Sequence, residues 1–215
     1  MAVQGFTMLA LLRSLLAPRT TVTLPGTPDA STLLATFGAA SRKVGRAPLV
    51  LDDAERGCVR AAGVEWPLAR RVDELWRIAL LVGAAERDDA ERLLSDCYRG
   101  GDTDERCAVL RALPLLTRPE RFTALAADAC RTSVQPIFEA LACDNPYPAR
   151  HLDALHFDQM VLKALFLAVP LARVLDLEQR RTPELRRMAQ DYARERRAAG
   201  RSVSADLAAL AVETP

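Results

Sequence analysis

Apolar residues recur at intervals of three and four along the chain from Asp29 onward, which is the spacing of amphipathic helices. Residues that favour helix caps, and glycines that end helices, divide this pattern into segments. The first predicted helix opens at Asp29 and ends before Gly45. The second runs from Asp52 to about Ala62 and ends at Gly63, and no segment alternates in the manner of a β-strand.

A third helix is predicted to open at Pro67, because proline is favoured in the first turn of a helix. Its apolar stripe, at helical spacing, consists of Leu68, Val72, Leu75, Trp76, Ala79 and Leu80. Trp76 lies on this stripe and is therefore predicted to be a core residue.

The segment 88–116 predicts an α-hairpin, in which the turn GGDTD supplies Asp102 or Thr103 as the cap of the second helix. A second hairpin is predicted from helices over 119–131 and 133–143. Units of about 25 to 35 residues thus follow one another without long loops. We therefore predict an all-α fold built as a HEAT-like stack of antiparallel helical hairpins, an α-solenoid.

Two long helices are predicted over 152–169 and 183–199, and Thr182 is the expected cap of the second. A final short helix is expected to begin at Ser202 or Ser204. These elements complete the helical pattern of the chain.

The chain is predicted to consist of a lead-in with a proline-rich linker over 1–28, a helical domain over 29–207 and a tail over 208–215. Residues 6–17 are apolar, but Arg13 interrupts the run and no basic segment precedes it. The run is also too short to cross a bilayer. We therefore expect an amphipathic or poorly ordered lead-in and no stable membrane insertion.

Composition limits the classes of partner and the compartment. The chain has 29 basic and 28 acidic residues and a net charge of +1, so no strong field attracts a nucleic acid. Its five cysteines are an odd number, widely spaced and without a Cys-x-x-Cys pair. This pattern favours reduced thiols and a cytoplasmic location.

A lysine stands out on the long predicted helix over 152–169. Lys163 lies on a helix that is apolar almost all round, and such a helix is normally buried. His156, Gln159 and Lys163 fall within about 60° of arc and form one polar stripe. A buried ammonium must find a carboxylate, reach a cavity or lose its proton.

Three interpretations of this stripe remain open from the sequence. Lys163 forms a structural ion pair with Asp144 or Glu139, or it lines a ligand pocket, or it is a reactive lysine that forms a Schiff base. Upstream of it, Pro146 and Pro148 stiffen a loop that presents Asn145 and Tyr147. This loop is either the wall of a pocket or a plain connector.

A polar row precedes that loop. Asp128, Arg131, Gln135 and Glu139 recur at intervals of three and four, as on a solvated face with ion pairs. Alternatively, Arg131 and Gln135 face the same concavity as Lys163, because repeat proteins commonly bind on one face of the stack. The predicted ligand-binding set is therefore Arg131, Gln135, Asn145, Tyr147, Gln159 and Lys163.

Other chemistries have no support in the sequence. The chain has two histidines, His151 and His156, and neither fits a common zinc spacing with the cysteines. It contains no glycine-rich phosphate loop and no G-x-S-x-G motif. We therefore expect no catalytic residue, metal or cofactor.

Several uncommon runs occur in order: Cys130-Arg131-Thr132, Asp144-Asn145-Pro146-Tyr147-Pro148, Gln159 to Phe166, and Asp191-Tyr192-Ala193. With these runs the chain resembles the EboA family, over roughly 30–207 and most strongly over 113–200. The chain has Phe157-Asp158-Gln159 where the family tends to have Trp-Asn-Gln. It has Arg194-Glu195-Arg196-Arg197 where the family tends to have His-Glu-Arg-Trp, which puts in doubt any role of that histidine or aromatic residue.

The resemblance implies a role in moving precursors of secondary metabolites out of the cytoplasm. It also implies other proteins of the Ebo gene cluster as partners, among them a prenyltransferase-like membrane protein and several enzyme-like proteins. The leading hypothesis is a non-enzymatic cytoplasmic protein that binds a metabolite or a partner protein during traffic. The alternatives are a small enzyme acting on an aromatic or prenylated intermediate, with Lys163 as its reactive group, and a pure protein scaffold.

Overall fold

The computed structural model describes residues 7–26 and 29–212, and this part of the chain is helical and without β-strands. The only extended pairing among these residues is an isolated antiparallel bridge between Pro48 and Arg71. The predicted all-α class is therefore confirmed. The chain divides into two compact units, the first ending at Leu125 and the second beginning at Ala126. The HEAT-like stacking stays a prediction, as do the proposed domain limits.

The first unit is built around one buried helix. Its elements are α1 (Met8–Leu16), α2 (Ala30–Gly38), α3 (Ala40–Val44), α4 (Asp53–Ala61), α5 (Val72–Ala84), α6 (Ala90–Gly100) and α7 (Thr103–Ala112), with 3-10 turns at Leu113–Leu115 and Pro119–Phe122. Helix α5 packs against α1, α3 and α7, and Trp76 at its centre is fully buried. The predicted hairpin is present as α6 and α7.

The boundary between the units falls within α8 (Thr123–Cys130), so the second unit begins inside this helix, at Ala126. Its further elements are α9 (Gln135–Ala142), α10 (Tyr147–His151), α11 (Ala154–Phe166), a 3-10 turn at Leu171–Arg173, α12 (Leu177–Arg180), α13 (Pro183–Ala198) and α14 (Ala205–Ala211). Helix α11 contacts α9 and α13, and α14 contacts α13.

The lead-in forms an amphipathic helix in its described part. Thr7 caps α1, and one face of the helix is buried through Leu11, Leu12, Leu15 and Leu16. The remaining predictions on residues 1–6, 27–28 and 213–215 lie outside the described residues.

Helix caps are largely where the sequence predicts them. The predicted capping side chains that accept a hydrogen bond from the first turn of a helix are those of Asp29, Asp52, Asp102, Thr182 and Ser204. Gly45 and Gly63 adopt positive φ angles after α3 and α4, which L-residues rarely do. The first predicted helix is broken at Ala39 into α2 and α3.

The start predicted for the third helix is wrong. Helix α5 begins at Val72, five residues after Pro67, because the preceding chain pairs with the segment before α4. The Val72 N–H donates to the Ala47 carbonyl at 2.9 Å, and the Leu49 N–H donates to the Arg70 carbonyl at 3.0 Å. This pairing holds the chain extended where a proline alone would permit a helix.

Three charged residues on α5 are buried, and we call them the α5 charge cluster: Asp73, Glu74 and Arg77. Arg77 Nη1 donates to Asp73 Oδ2 at 2.8 Å, and its Nε donates to the carbonyl of Phe37 at the end of α2 at 3.1 Å. The cluster therefore ties the central helix to the C-terminus of α2.

The same cluster reaches α7. Glu74 accepts a hydrogen bond from Arg111 Nη1 and another, at 2.6 Å, from the backbone N–H of Arg70. Arg77 Nη2 lies 3.5 Å from Glu105 Oε1. Each buried charge thus has an opposite charge or a backbone group to bind, which a dry interior requires.

All five cysteines are present as thiols, and Cys58 is the exposed one. Burial raises the pKa of Cys97 and of Cys130 to about 12 and that of Cys107 to about 11. Because the thiolate is the reactive form, buried thiols react slowly.

We expect Ellman's reagent to titrate one fast thiol in the folded protein and five in denaturant. Replacing Cys58 with serine should abolish the fast phase and leave four thiols to titrate in denaturant. Recovery of fewer than five thiols from unreduced, denatured parent protein would instead reveal a disulfide.

Candidate functional site

Lys163 carries its ammonium group from α11 to the end of α8. Nζ donates to the carbonyl oxygens of Cys130 at 2.7 Å and Thr132 at 2.5 Å. It also lies 5.1 Å from the centroid of the Phe138 ring, within range of a cation–π interaction. The last carbonyls of a helix lack partners inside it and carry the negative end of its dipole. The ammonium therefore caps the C-terminus of α8.

The predicted ion pair of Lys163 with Asp144 or Glu139 is wrong, because both carboxylates bind Arg173. Nη1 of Arg173 lies 2.7 Å from Glu139 Oε2, and Nη2 lies 2.8 Å from Asp144 Oδ2. Hydrogen bonds to Glu139 and Asp144 raise the pKa of Arg173 above its ordinary value. Burial lowers the pKa of Lys163 below its ordinary value.

Asn145 and Tyr147 are buried and form a turn that leads into α10. Nδ2 of Asn145 donates to the Ala140 carbonyl at 3.0 Å, and Oδ1 accepts from the Tyr147 N–H at 3.0 Å. The Tyr147 ring lies 4.7 Å from the His151 ring, centroid to centroid. The segment predicted as a stiff loop is thus a buried turn and a short helix.

Arg131 and Gln135 are exposed and bind neighbours in the sequence. Arg131 Nη2 lies 2.8 Å from Asp128 Oδ1, and Gln135 Nε2 donates to Glu139 Oε1 at 2.9 Å. These contacts match the alternative of a solvated polar face. Lys163 instead binds the backbone carbonyls of Cys130 and Thr132, the residues on either side of Arg131. A ligand site formed by the whole predicted set stays a prediction.

Helix α11 is buried on one side only, which corrects the expectation of burial all round. Phe157, Met160 and Val161 are buried, but Leu155 is 59% exposed and Phe166 is 60% exposed. Periodicity could not reveal this, because apolar residues occupy the outer face as well as the inner one.

A cavity of about 230 Å³ opens at the C-terminal end of α11, and we call it the aromatic cavity. Its lining includes Phe166, Val169, Tyr192, Arg196, Asp206 and Leu207. The rings of Phe166 and Tyr192 lie 4.3 Å apart, centroid to centroid, with 57° between their planes. Aromatic pairs at this distance attract each other and offer a ligand a flat apolar surface.

Two opposite charges line the same cavity. Arg196 Nη1 donates to the Tyr192 hydroxyl at 3.1 Å, and its Nε donates to the Ser202 carbonyl at 2.6 Å. Asp206 Oδ2 accepts from the Leu171 N–H at 2.8 Å. A cavity with apolar walls and a few polar groups of fixed orientation is the usual form of a small-molecule site.

Phe166, Arg196 and Asp206 are not among the residues predicted for a site. Phe166 and Tyr192 belong to two of the runs that carry the family resemblance, and this was the available signal. The cavity depends on the approach of α11, α13 and α14, which no local pattern encodes.

The backbone next to the cavity is strained. Ala168 has a φ angle of 54°, which is uncommon for a residue with a Cβ atom. It ends α11 where glycine is usual, and the Val169 N–H donates to the Ala164 carbonyl at 2.9 Å. Strain of this kind persists where surrounding structure fixes the chain, and it is frequent at binding sites.

Asp158 is buried on the inner side of α11. Its Oδ2 accepts from the Thr182 hydroxyl at 2.9 Å, whereas its Oδ1 has no hydrogen bond within the described chain. Burial raises the pKa of this carboxyl group above its ordinary value. The carboxyl stands where the family tends to have the uncharged asparagine.

Within residues 7–26 and 29–212, no cluster of three or more His, Cys, Asp or Glu side chains is arranged to hold a metal ion. No helix of that part is both long and apolar enough to cross a membrane.

The fold and the cavity define an all-helical protein with a small aromatic cavity beside an arginine and an aspartate. The sequence matches the EboA family, described as metabolite traffic protein EboA, over residues 20–212, and the chain belongs to this family. The resemblance predicted from the sequence is therefore confirmed. Membership implies a role in metabolite traffic. Comparisons with curated proteins and with solved structures give no match.

Proposed function

We propose that this protein supports metabolite traffic by holding a small, partly aromatic metabolite in the aromatic cavity, without catalysing a reaction on it. The observation that carries the proposal is the Phe166–Tyr192 ring pair, which forms an apolar wall beside Arg196. The exposure of Phe166 supports a binding role, because 60% of its surface is accessible to a ligand. The cavity lies at the end of the Gln159 to Phe166 run that carries the family resemblance.

The cavity favours a particular kind of metabolite. A ligand ring that stacks on the aromatic pair gains about 0.5 to 1.5 kcal/mol beyond the burial of its area. The Arg196 guanidinium can donate to an acceptor group, and Asp206 can accept from a donor. At about 230 Å³ the cavity is smaller than most sites for drug-sized ligands, so it suits a single ring with polar substituents.

We further propose that the protein acts in the cytoplasm together with other Ebo cluster proteins. The support is family membership and the presence of all five cysteines as thiols. A binding protein alone does not move a metabolite across a membrane, so partner proteins would deliver the metabolite to it or receive the metabolite from it.

The test is native mass spectrometry of the protein isolated gently from its own cell lysate. We expect an additional mass of a small molecule, which is lost on denaturation. Replacing Phe166 with alanine removes half of the ring pair and is expected to lower the bound fraction or the affinity roughly tenfold.

Leu155→Ala is the matched control, because Leu155 lies on the same helix and is 59% exposed, compared with 60% for Phe166. Both substitutions remove an exposed apolar side chain; Leu155→Ala is expected to leave stability within about 0.5 kcal/mol of the parent, and Phe166→Ala to lose in addition the ring pair, about 0.5 to 1.5 kcal/mol. Equal retention of the small molecule by the two variants, or its absence from the parent, contradicts the proposal. Chemical conversion of the isolated metabolite by the parent protein would favour the enzyme hypothesis.

A further inference from the structure

A second concave surface lies in the first unit, and we call it the α4 groove. It has a volume of about 520 Å³ and lies between α4, the segment before it and the segment after it. Its apolar lining includes Leu49, Leu51, Val59, Val64 and Leu68. Side chains of this kind form a flexible aliphatic floor rather than a flat aromatic one.

The rim of the groove carries two arginines one turn apart on α4. Arg56 and Arg60 are spaced four residues apart and therefore share a helix face. Arg60 is exposed, and its guanidinium makes no hydrogen bond or ion pair within residues 7–26 and 29–212. Arg56 Nη1 donates to the Leu51 carbonyl, and Nη2 lies 2.6 Å from Asp53, whose side chain is 99% exposed. Such an exposed ion pair is weak, so Nη2 can exchange Asp53 for another anion at little cost while Nη1 keeps its backbone partner.

The segment after α4 limits the charge of a ligand. Trp66 is half-buried and adds a broad apolar surface, while Glu65 beside it is exposed. A second negative charge near Glu65 would be repelled by its carboxylate. The lining therefore suits a ligand with one anionic head and a neutral apolar body.

We propose that the α4 groove binds an aliphatic carboxylate. The hydrocarbon chain lies on the aliphatic floor against Trp66, and the carboxylate binds the Arg60 guanidinium, with Arg56 as a second donor. A guanidinium matches the two oxygens of a carboxylate in geometry and charge. The proposal does not depend on the aromatic cavity, which lies in the other unit and offers aromatic walls.

One probe follows this binding directly. The chain has two tryptophans, and Trp76 is fully buried in the core, so changes in emission report mainly on Trp66. We expect decanoate, titrated below its micelle concentration into the full-length protein, to change the emission in a saturable way. Decan-1-ol and decylammonium, which lack the anionic head, are expected to bind at least about tenfold more weakly.

Arg60→Gln is expected to weaken decanoate binding about tenfold, because a charge-assisted hydrogen bond is lost. Arg60→Lys keeps the charge and is expected to recover part of the affinity. Arg42→Gln is the matched control, since Arg42 is an exposed arginine of the same unit outside the groove. This control is expected to bind decanoate like the parent.

A second titration tests whether the groove binds a membrane surface instead of a free carboxylate. Neutral and anionic phospholipid vesicles replace decanoate in the same titration. A response to anionic vesicles without saturable binding of decanoate would assign the groove to a membrane surface and overturn the proposal. Equal affinities for decanoate and decan-1-ol, or an Arg60→Gln variant that binds like the parent, would also overturn it.

Discussion

Replacing Arg77 with methionine is expected to lower the free energy of unfolding by about 3 to 5 kcal/mol. Arg77 is 1% exposed, and its guanidinium binds Asp73, which is fully buried. Methionine fills much of the same space but leaves the Asp73 carboxylate with Arg71 as its remaining side-chain partner. An incompletely paired charge in the interior is far more costly than the loss of the pair itself.

The substitution also removes the donor that Arg77 supplies to the Phe37 carbonyl at the end of α2. Urea unfolding followed by circular dichroism measures the effect. Arg92→Met, which removes an exposed arginine with ion pairs to Asp89 and Asp96, is the control and is expected to change stability by less than about 0.5 kcal/mol.

A double variant shows whether the buried charge is the cause. Asp73→Asn with Arg77→Met removes both charges, so its loss of stability is expected to be smaller than the sum of the two single losses. If Arg77→Met unfolds within about 1 kcal/mol of the parent, the α5 charge cluster is not what holds α2 and α7 to the central helix.

Lys163→Met is expected to lower the free energy of unfolding by about 2 kcal/mol. The ammonium donates to the Cys130 and Thr132 carbonyls, and hydrogen bonds that involve a charge contribute about 1.5 to 3 kcal/mol. Removing a partly desolvated charge offsets part of this loss. The methionine keeps the apolar stem, so packing against Phe138 changes little.

Lys43→Met is the matched control, because the chain has two lysines and Lys43 is the exposed one. It is expected to unfold like the parent. Metabolite export, restored in a strain that lacks the gene, separates the two roles of Lys163. We expect export to fall only in step with the amount of folded Lys163→Met protein. Full stability together with lost export would instead support the ligand site predicted around Gln159 and Lys163.

Local chemistry made the helix ends predictable. Asp52, Asp102 and Thr182 cap helices because the side chain and the backbone groups that it binds lie within three residues of each other. Gly45 and Gly63 end helices for an equally local reason, the freedom of glycine at positive φ. Because these contacts lie between residues close in sequence, the helix ends could be predicted without knowledge of the fold.

Long-range partners were not predictable in the same way. Pro67 fits a helix start, but the pairing of Arg71 with Pro48 decides where α5 begins. The ion-pair hypothesis for Lys163 assumed a carboxylate partner, whereas its partners are backbone carbonyls, which every residue carries and no sequence pattern marks.

Glu139 and Asp144 were the carboxylates predicted for that ion pair. Both bind an arginine that is distant in sequence, Arg173. Arg173 is separated from them in sequence by 34 and 29 residues. The aromatic cavity was missed for the same reason, because Phe166 and Tyr192 meet only when α11 and α13 pack together.

Because only one oxygen of the Asp158 carboxyl has a hydrogen bond within the described chain and the group is buried, folding is coupled to proton uptake at this residue. Its pKa in the fold lies above the value that it has in the unfolded chain, so between those two values the folded protein holds the proton more often. Its contribution to stability is therefore fully present below the unfolded pKa and is lost as the pH rises through the folded one. Acidification through this window therefore stabilises the fold at this position.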